Sequence, residues 1–234
     1  MSILLSIILA ILPINLQEVV ARYNRGVAPT ISVVHNSATN CHTASGTSQT
    51  CVINPITSGN KLFFTMHASA GGQAVSGTAA ICDGTWTLDT PDAAGVFSAT
   101  STATGSGSCT VTLTGTLGFL DLLGVEIGSS TGIDVRGSTY VNQGFKTANT
   151  AFNCPAITTA TNGDMVICGY YDTDGNNGTA TAGSGFTIAV VGDSGGPNIR
   201  IETGIQTSAG SITPTWAGNT TNSTPNSGTI SYKP

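Results

Sequence analysis

The chain has 234 residues, of which only 8% are charged, with seven Lys plus Arg against twelve Asp plus Glu and a net charge of −5. So sparse a basic complement excludes a phosphate-gripping face for nucleic acid and an electrostatic partnership with anionic lipid. Long amphipathic helices are excluded too, because their faces need Lys, Glu, Arg and Leu, whereas Thr, Ser, Gly, Val and Ile dominate here.

The N-terminus opens with an apolar run over residues 3–12, interrupted by Pro13 and too short to span a bilayer. It reads as a secretory signal peptide or as a short segment that anchors or assembles the protein. Residues 1–26 are therefore one segment and residues 27–234 the folded domain. From Thr30 onward, β-branched and aromatic runs alternate with Gly, Ser, Asn and Thr turns. TISVVH (30–35), KLFFTMH (61–67) and TWTLDT (85–90) lead. CTVTLTGTL (109–117) alternates, which predicts a half-buried strand with Val111, Leu113 and Leu117 inward. FLDLLGVEIG follows as a denser run suited to a strand covered on both faces. IDVRG, DMVICGYY, FTIAVV, NIRIETGI, SITPTW and TISY continue the series. Such a succession without an intervening helix predicts an all-β fold, a two-sheet antiparallel sandwich of jelly-roll or immunoglobulin-like type, preceded by the short apolar N-terminal segment.

Six cysteines fall as neighbouring pairs in sequence, Cys41 and Cys51, Cys82 and Cys109, Cys154 and Cys168. None has the C-x-x-C spacing of a zinc site, so they read as structural disulfides in an oxidising, extracellular or cell-surface setting. Spacing leaves the connectivity open; nearest-neighbour pairing would staple adjacent strands. Sequons at Asn177, Asn219 and Asn222 are candidate glycosylation sites in polar loops.

The succession VVHNSAT, SGNKLFFTMHAS, CDGTWTLDT, TVTLTG, LLGVEIGSSTGIDVRGS, ATNGDMVICGYY, GSGFTI and IETGIQTSAGSITPTWAG resembles a β-sandwich domain of secreted and cell-surface bacterial proteins. The likeness spans roughly residues 30–216, departing in a shortened D-G-T-W turn and in the added cysteines. It implies a fold and a location, and carries no catalytic residues.

GDSGGP, residues 192–197, also resembles the nucleophile loop of chymotrypsin-like serine proteases. Such a site needs a histidine to take the serine proton and an acid to orient it. His67, Asp121 and Ser194 preserve that order, and FFTMHAS and LDLLGV echo the family phrases. The flanking cysteines and the activating N-terminal sequence are missing. The same residues make a hairpin turn, with Phe186, Ile188 and Val190 on one arm and Ile199 and Ile201 on the other, and this reading is preferred.

In DTDGNNG, the oxygens of Asp172, Asp174 and Asn176 alternate like the opening of a calcium loop, although the sixth and twelfth positions do not fit an EF-hand. His35, His42 and His67 are too dispersed to predict a metal site. Asp121 and Glu126, five apart in a strand, are expected on opposite faces. Trp216, with Trp86, Tyr140, Tyr170 and Tyr171, is a candidate sugar-stacking platform, Trp216 being expected exposed. The preferred function is a non-catalytic extracellular structural or adhesion module. Self-assembly through the N-terminal segment or a cell-surface partner is expected; a Ser194 protease and a carbohydrate-binding module are the alternatives.

Overall fold

The computed structural model describes residues 30–39, 41–69, 71–78, 81–137, 140–174, 179–192 and 198–234. The apolar segment of residues 1–26 lies outside them. The described chain is all-β and antiparallel, with no helix among the described residues. Its first half forms one sheet from β1 (Ser32–Asn36), β2 (His42–Ile56), β3 (Lys61–Ala68), β4 (Ala74–Gly77), β5 (Thr87–Leu88), β6 (Val96–Thr102) and β7 (Gly107–Gly128). The order is β1-β7-β3-β6-β5, with β2 and β4 added along β7.

The second half supplies β8 (Gly132–Arg136), β9 (Val141–Asn142), β10 (Phe152–Asn153), β11 (Ile157–Thr159), β12 (Asp164–Asp172) and β13 (Ala180–Thr181). It continues with β14 (Thr187–Gly192), β15 (Ile199–Gln206), β16 (Gly210–Ile212), β17 (Thr215–Trp216), β18 (Gly218–Asn219) and β19 (Pro225–Lys233). The second sheet runs β14-β15-β12-β19-β8, with β9 beside β19, and three two-stranded ladders, β10-β17, β11-β16 and β13-β18, complete the half. Pairing thus stays within each half of the chain.

The sheets meet through Phe63, Leu123, Val125 and Ile127 on one side and Ile167, Tyr171, Ile199, Ile201 and Ile230 on the other. β3 and β12 are the central strands and are buried on both faces, so their sequences lack polar alternation. The outer face of β3 (Leu62, Phe64, Met66) is covered by Ile53, Val111 and Leu113. That cover exists because the two sequence runs expected as separate strands are one 22-residue strand, β7, which bends over its own sheet.

The bend changes which side faces inward. Odd residues (Cys109, Val111, Leu113) point into the outer core before it, and even residues (Leu120, Leu122) after it. The β2–β7 register shifts on either side of Gly46, opposite Gly118. Leu117, expected inward by strict alternation, sits in this bend and is 69% exposed. A bulge resets the period-two pattern, which local alternation does not foresee.

The cysteines are joined as Cys41–Cys51, Cys82–Cys109 and Cys154–Cys168. The first two lie in the outer core of the first sheet. The third lies with Phe152, Tyr170 and Trp216 on the outer face of the second.

Across the main interface, Gly169 and Gly228 are register partners on β12 and β19 and make a flat bed for the Tyr140 ring. The Tyr140 hydroxyl then donates to Thr65 Oγ1 of the other sheet at 2.7 Å. A Cβ at Gly228 would come 2.3 Å from that ring. Gly228→Ala is expected to lower stability by about 1–3 kcal/mol, read as a lower urea midpoint with an unchanged m-value.

Candidate functional site

Strand register assembles a polar row that sequence spacing conceals. Asp121 of β7 has His42 of β2 as its partner on one side and His67 of β3 on the other. Residues in one cross-strand row share a face, so both imidazoles meet one carboxylate. His42 Nδ1 donates to Asp121 Oδ1, and His67 Nδ1 to Oδ2 at 3.2 Å. From the second sheet, the Tyr171 hydroxyl donates to the same Oδ2 at 3.1 Å, while its ring stacks on His67 with centroids 4.2 Å apart.

Asp121 is 1% exposed, which makes this carboxylate a buried hub with three donors. Burial, and then the Asp121 charge, hold the Tyr171 phenol protonated far above its ordinary range. With Nδ1 of each histidine turned to Asp121, Nε2 is the ring nitrogen on the side away from the carboxylate. His42 is the more open of the two, its side chain 18% exposed against 8% for His67.

The third histidine follows the same rule at a separate place. His35 Nδ1 donates to Glu126 Oε2 at 2.5 Å, and Glu126 Oε1 accepts from Thr57 N and Asn60 Nδ2, each at 2.7 Å. Glu126 therefore ties the turn between β2 and β3 to β1 and β7. It serves the opposite face from Asp121.

Of the suspected protease residues, the fold brings His67 and Asp121 together. Ser194 lies outside the described residues. The arms flanking it, β14 and β15, form an antiparallel pair that reaches Gly192 opposite Ile199.

The suspected calcium loop is already engaged in hydrogen bonds. Asp172 is fully buried, and its Oδ1 accepts from the backbone N–H of Asp174 and of Thr224, both at 3.1 Å. Asp174 Oδ2 accepts from Thr224 Oγ1 at 2.7 Å. These bonds tie two loops together; Asn176 lies outside the described residues.

Three expectations are corrected by burial. Trp216 is wholly buried against Phe152 and Tyr170, and Tyr140, Tyr170 and Tyr171 are buried as well, so these rings form core rather than a sugar platform. Trp86 packs on the outer core. Asn219 is 2% exposed and its Nδ2 donates to Tyr170 Oη at 3.1 Å, which leaves no accessible amide for a glycan in the folded protein. Asn222 is exposed and Asn177 lies outside the described residues.

Beyond the histidines, the fold buries carboxylates that the sequence does not single out. Glu202 stands with Cys154 and Cys168, the one three-membered group of metal-ligating residue types found among the described residues. The disulfide removes the thiolates a metal would need. Glu202 accepts from Gly183 N at 3.1 Å, yet burial pushes it up to about 7 from an ordinary 4.5. Its folded pKa exceeds the unfolded one, so its contribution to stability is present in full below pH 4.5 and is lost as pH rises through 7. Melting temperature is accordingly expected to fall between pH 5 and pH 8, with a shallower fall in Glu202→Gln.

No family model matches this chain, and neither a curated protein nor a solved structure matches it.

Proposed function

We propose that this chain is a non-catalytic extracellular structural or adhesion module that self-assembles through its N-terminal segment. The observation that carries the reading is a groove at one side of the sandwich. There the edge strands of the two sheets, β1 and β14, lie side by side. Asn36 Nδ2 pins them by donating to Ala189 O at 2.7 Å. Beyond that contact a groove opens, lined by Ile31, Val33, Met165, Ala189 and Ile205.

Edge strands with apolar lining accept an added strand from another chain. Ile31, which lines the groove, is the first residue of the folded unit, and the apolar run of residues 3–12 precedes it in the sequence. Three disulfides support an oxidising compartment.

Electron microscopy and sedimentation of the full chain are the test. Filaments or discrete oligomers that disappear on deleting residues 1–26 are expected, and monomers at every concentration overturn the reading.

One observation favours a second reading, a chymotrypsin-like serine protease using Ser194: the 3.2 Å bond from His67 Nδ1 to Asp121 Oδ2 has the form of the acid–histidine contact such a site uses. Fluorophosphonate labelling lost in Ser194→Ala would establish it, and unlabelled folded protein ends it.

A further inference from the structure

At the end of the second sheet, three buried oxygens lack a close hydrogen-bond donor. Asp164 begins β12 and is wholly buried, and neither of its carboxylate oxygens has a partner at full hydrogen-bonding distance, the Ser231 hydroxyl being only a weak influence on it. Gln206, which ends β15, is its register partner, and Gln206 Oε1 is also buried without a donor. Directly opposed residues of a ladder share a face, so the two side chains leave the sheet on the same side.

The Asp134 carboxylate, from β8, lies against Asp164. Asp134 takes its own donors from the covering turn, Ala160 N at 2.6 Å and Thr161 Oγ1 at 3.3 Å. Ser231 Oγ, which accepts from Val135 N at 3.2 Å, borders the same place from β19.

We propose that Asp134, Asp164 and Gln206 form a binding site for a divalent cation of the calcium class. A buried carboxylate without donors is costly, and two in contact repel. A shared proton would satisfy one oxygen of Asp164 and leave its other oxygen and Gln206 Oε1 unpartnered. A hard cation collects all of them, because calcium takes six to eight oxygen ligands at about 2.3–2.6 Å. Two carboxylates in contact, the buried one lacking a close donor, with a buried amide oxygen on the same face, are the kind of oxygen set such a cation takes.

The charges nearby agree. Burial first, and then Asp134, raise Asp164 to about 6, whereas the Ala160 N–H holds Asp134 below its ordinary range; Lys233, the cation facing them, is the smallest influence on Asp164.

The experiment is calorimetric titration of calcium chloride into the EDTA-stripped, full-length chain at pH 7.5, with thermal melts alongside. One ion per chain is expected. At a hundredfold excess over Kd the melting temperature should rise by about 5–10 °C. Asp164→Asn and Asp134→Asn should each abolish binding, and Asp174→Asn, in the other acidic loop, should keep it. If Asp164→Asn does not fold, Asp134→Asn decides. Absence of binding by the native chain overturns the proposal. So does binding retained in Asp134→Asn, binding lost in Asp174→Asn alone, or a melting temperature that ignores calcium.

Discussion

Replacing Asp121 with alanine is expected to destabilise the protein by about 3–5 kcal/mol, because a buried imidazole, a half-buried one and a buried phenol lose their common acceptor at once. The size follows from the arrangement. His42, His67 and Tyr171 approach one carboxylate from three strands of two sheets, and Tyr171 is 1% exposed. Water cannot replace the lost acceptor without opening the interface. Asp121→Asn keeps the shape and one acceptor but turns an amide toward a donor, so an intermediate loss of about 1–3 kcal/mol is expected.

Urea denaturation measures both. The donors share one partner, so the loss in a His67→Ala, Asp121→Ala double variant should fall clearly below the sum of the single losses. Additive losses would mean that the row is not a unit, and an Asp121→Ala chain as stable as the parent would remove the hub from the account of this fold.

Opening all three disulfides is expected to unfold the chain under native conditions. Loop-closure entropy assigns about 3.5 kcal/mol to Cys82–Cys109, about 3 to Cys154–Cys168 and about 2.8 to Cys41–Cys51, following sequence separations of 27, 14 and 10. Their combined effect, on the order of 9 kcal/mol, is comparable with the roughly 5–15 kcal/mol by which domains are stable. Paired Cys→Ala variants, taken one bridge at a time, should rank in that order by urea midpoint. An inverted ranking would show that local packing around the sulfurs, rather than constraint of the unfolded chain, governs their worth.

How far the fold is legible in the sequence varies with the range of the interactions. KLFFTMH and DMVICGYY announce strands because dense apolar runs between turn residues have few other stable uses. The antiparallel sandwich follows because so many short strands without helices can bury their faces only against one another. Leu117 shows the limit, since a bend in β7 undoes the alternation that predicted it inward. Trp216 shows another: a strand end beside polar Ala-Gly-Asn looks exposed until β10 and β12 are seen to cover it.

The candidate sites were even less legible. His42 and His67 stand 79 and 54 residues from Asp121, and only the register of β2 and β3 on β7 places them in one row. Asp134, Asp164 and Gln206 likewise come from three strands, and nothing local marks them.

The sequence by itself determined the strand content, the exclusion of basic ligand surfaces and the supply of cysteines, because turn chemistry, period-two patterning and composition act over a few residues. The tertiary structure alone decided which side chains meet, which cysteines pair and which carboxylates lose water. Register and sheet packing are long-range: a one-residue slip would turn Asp121 away from both histidines without altering any local preference.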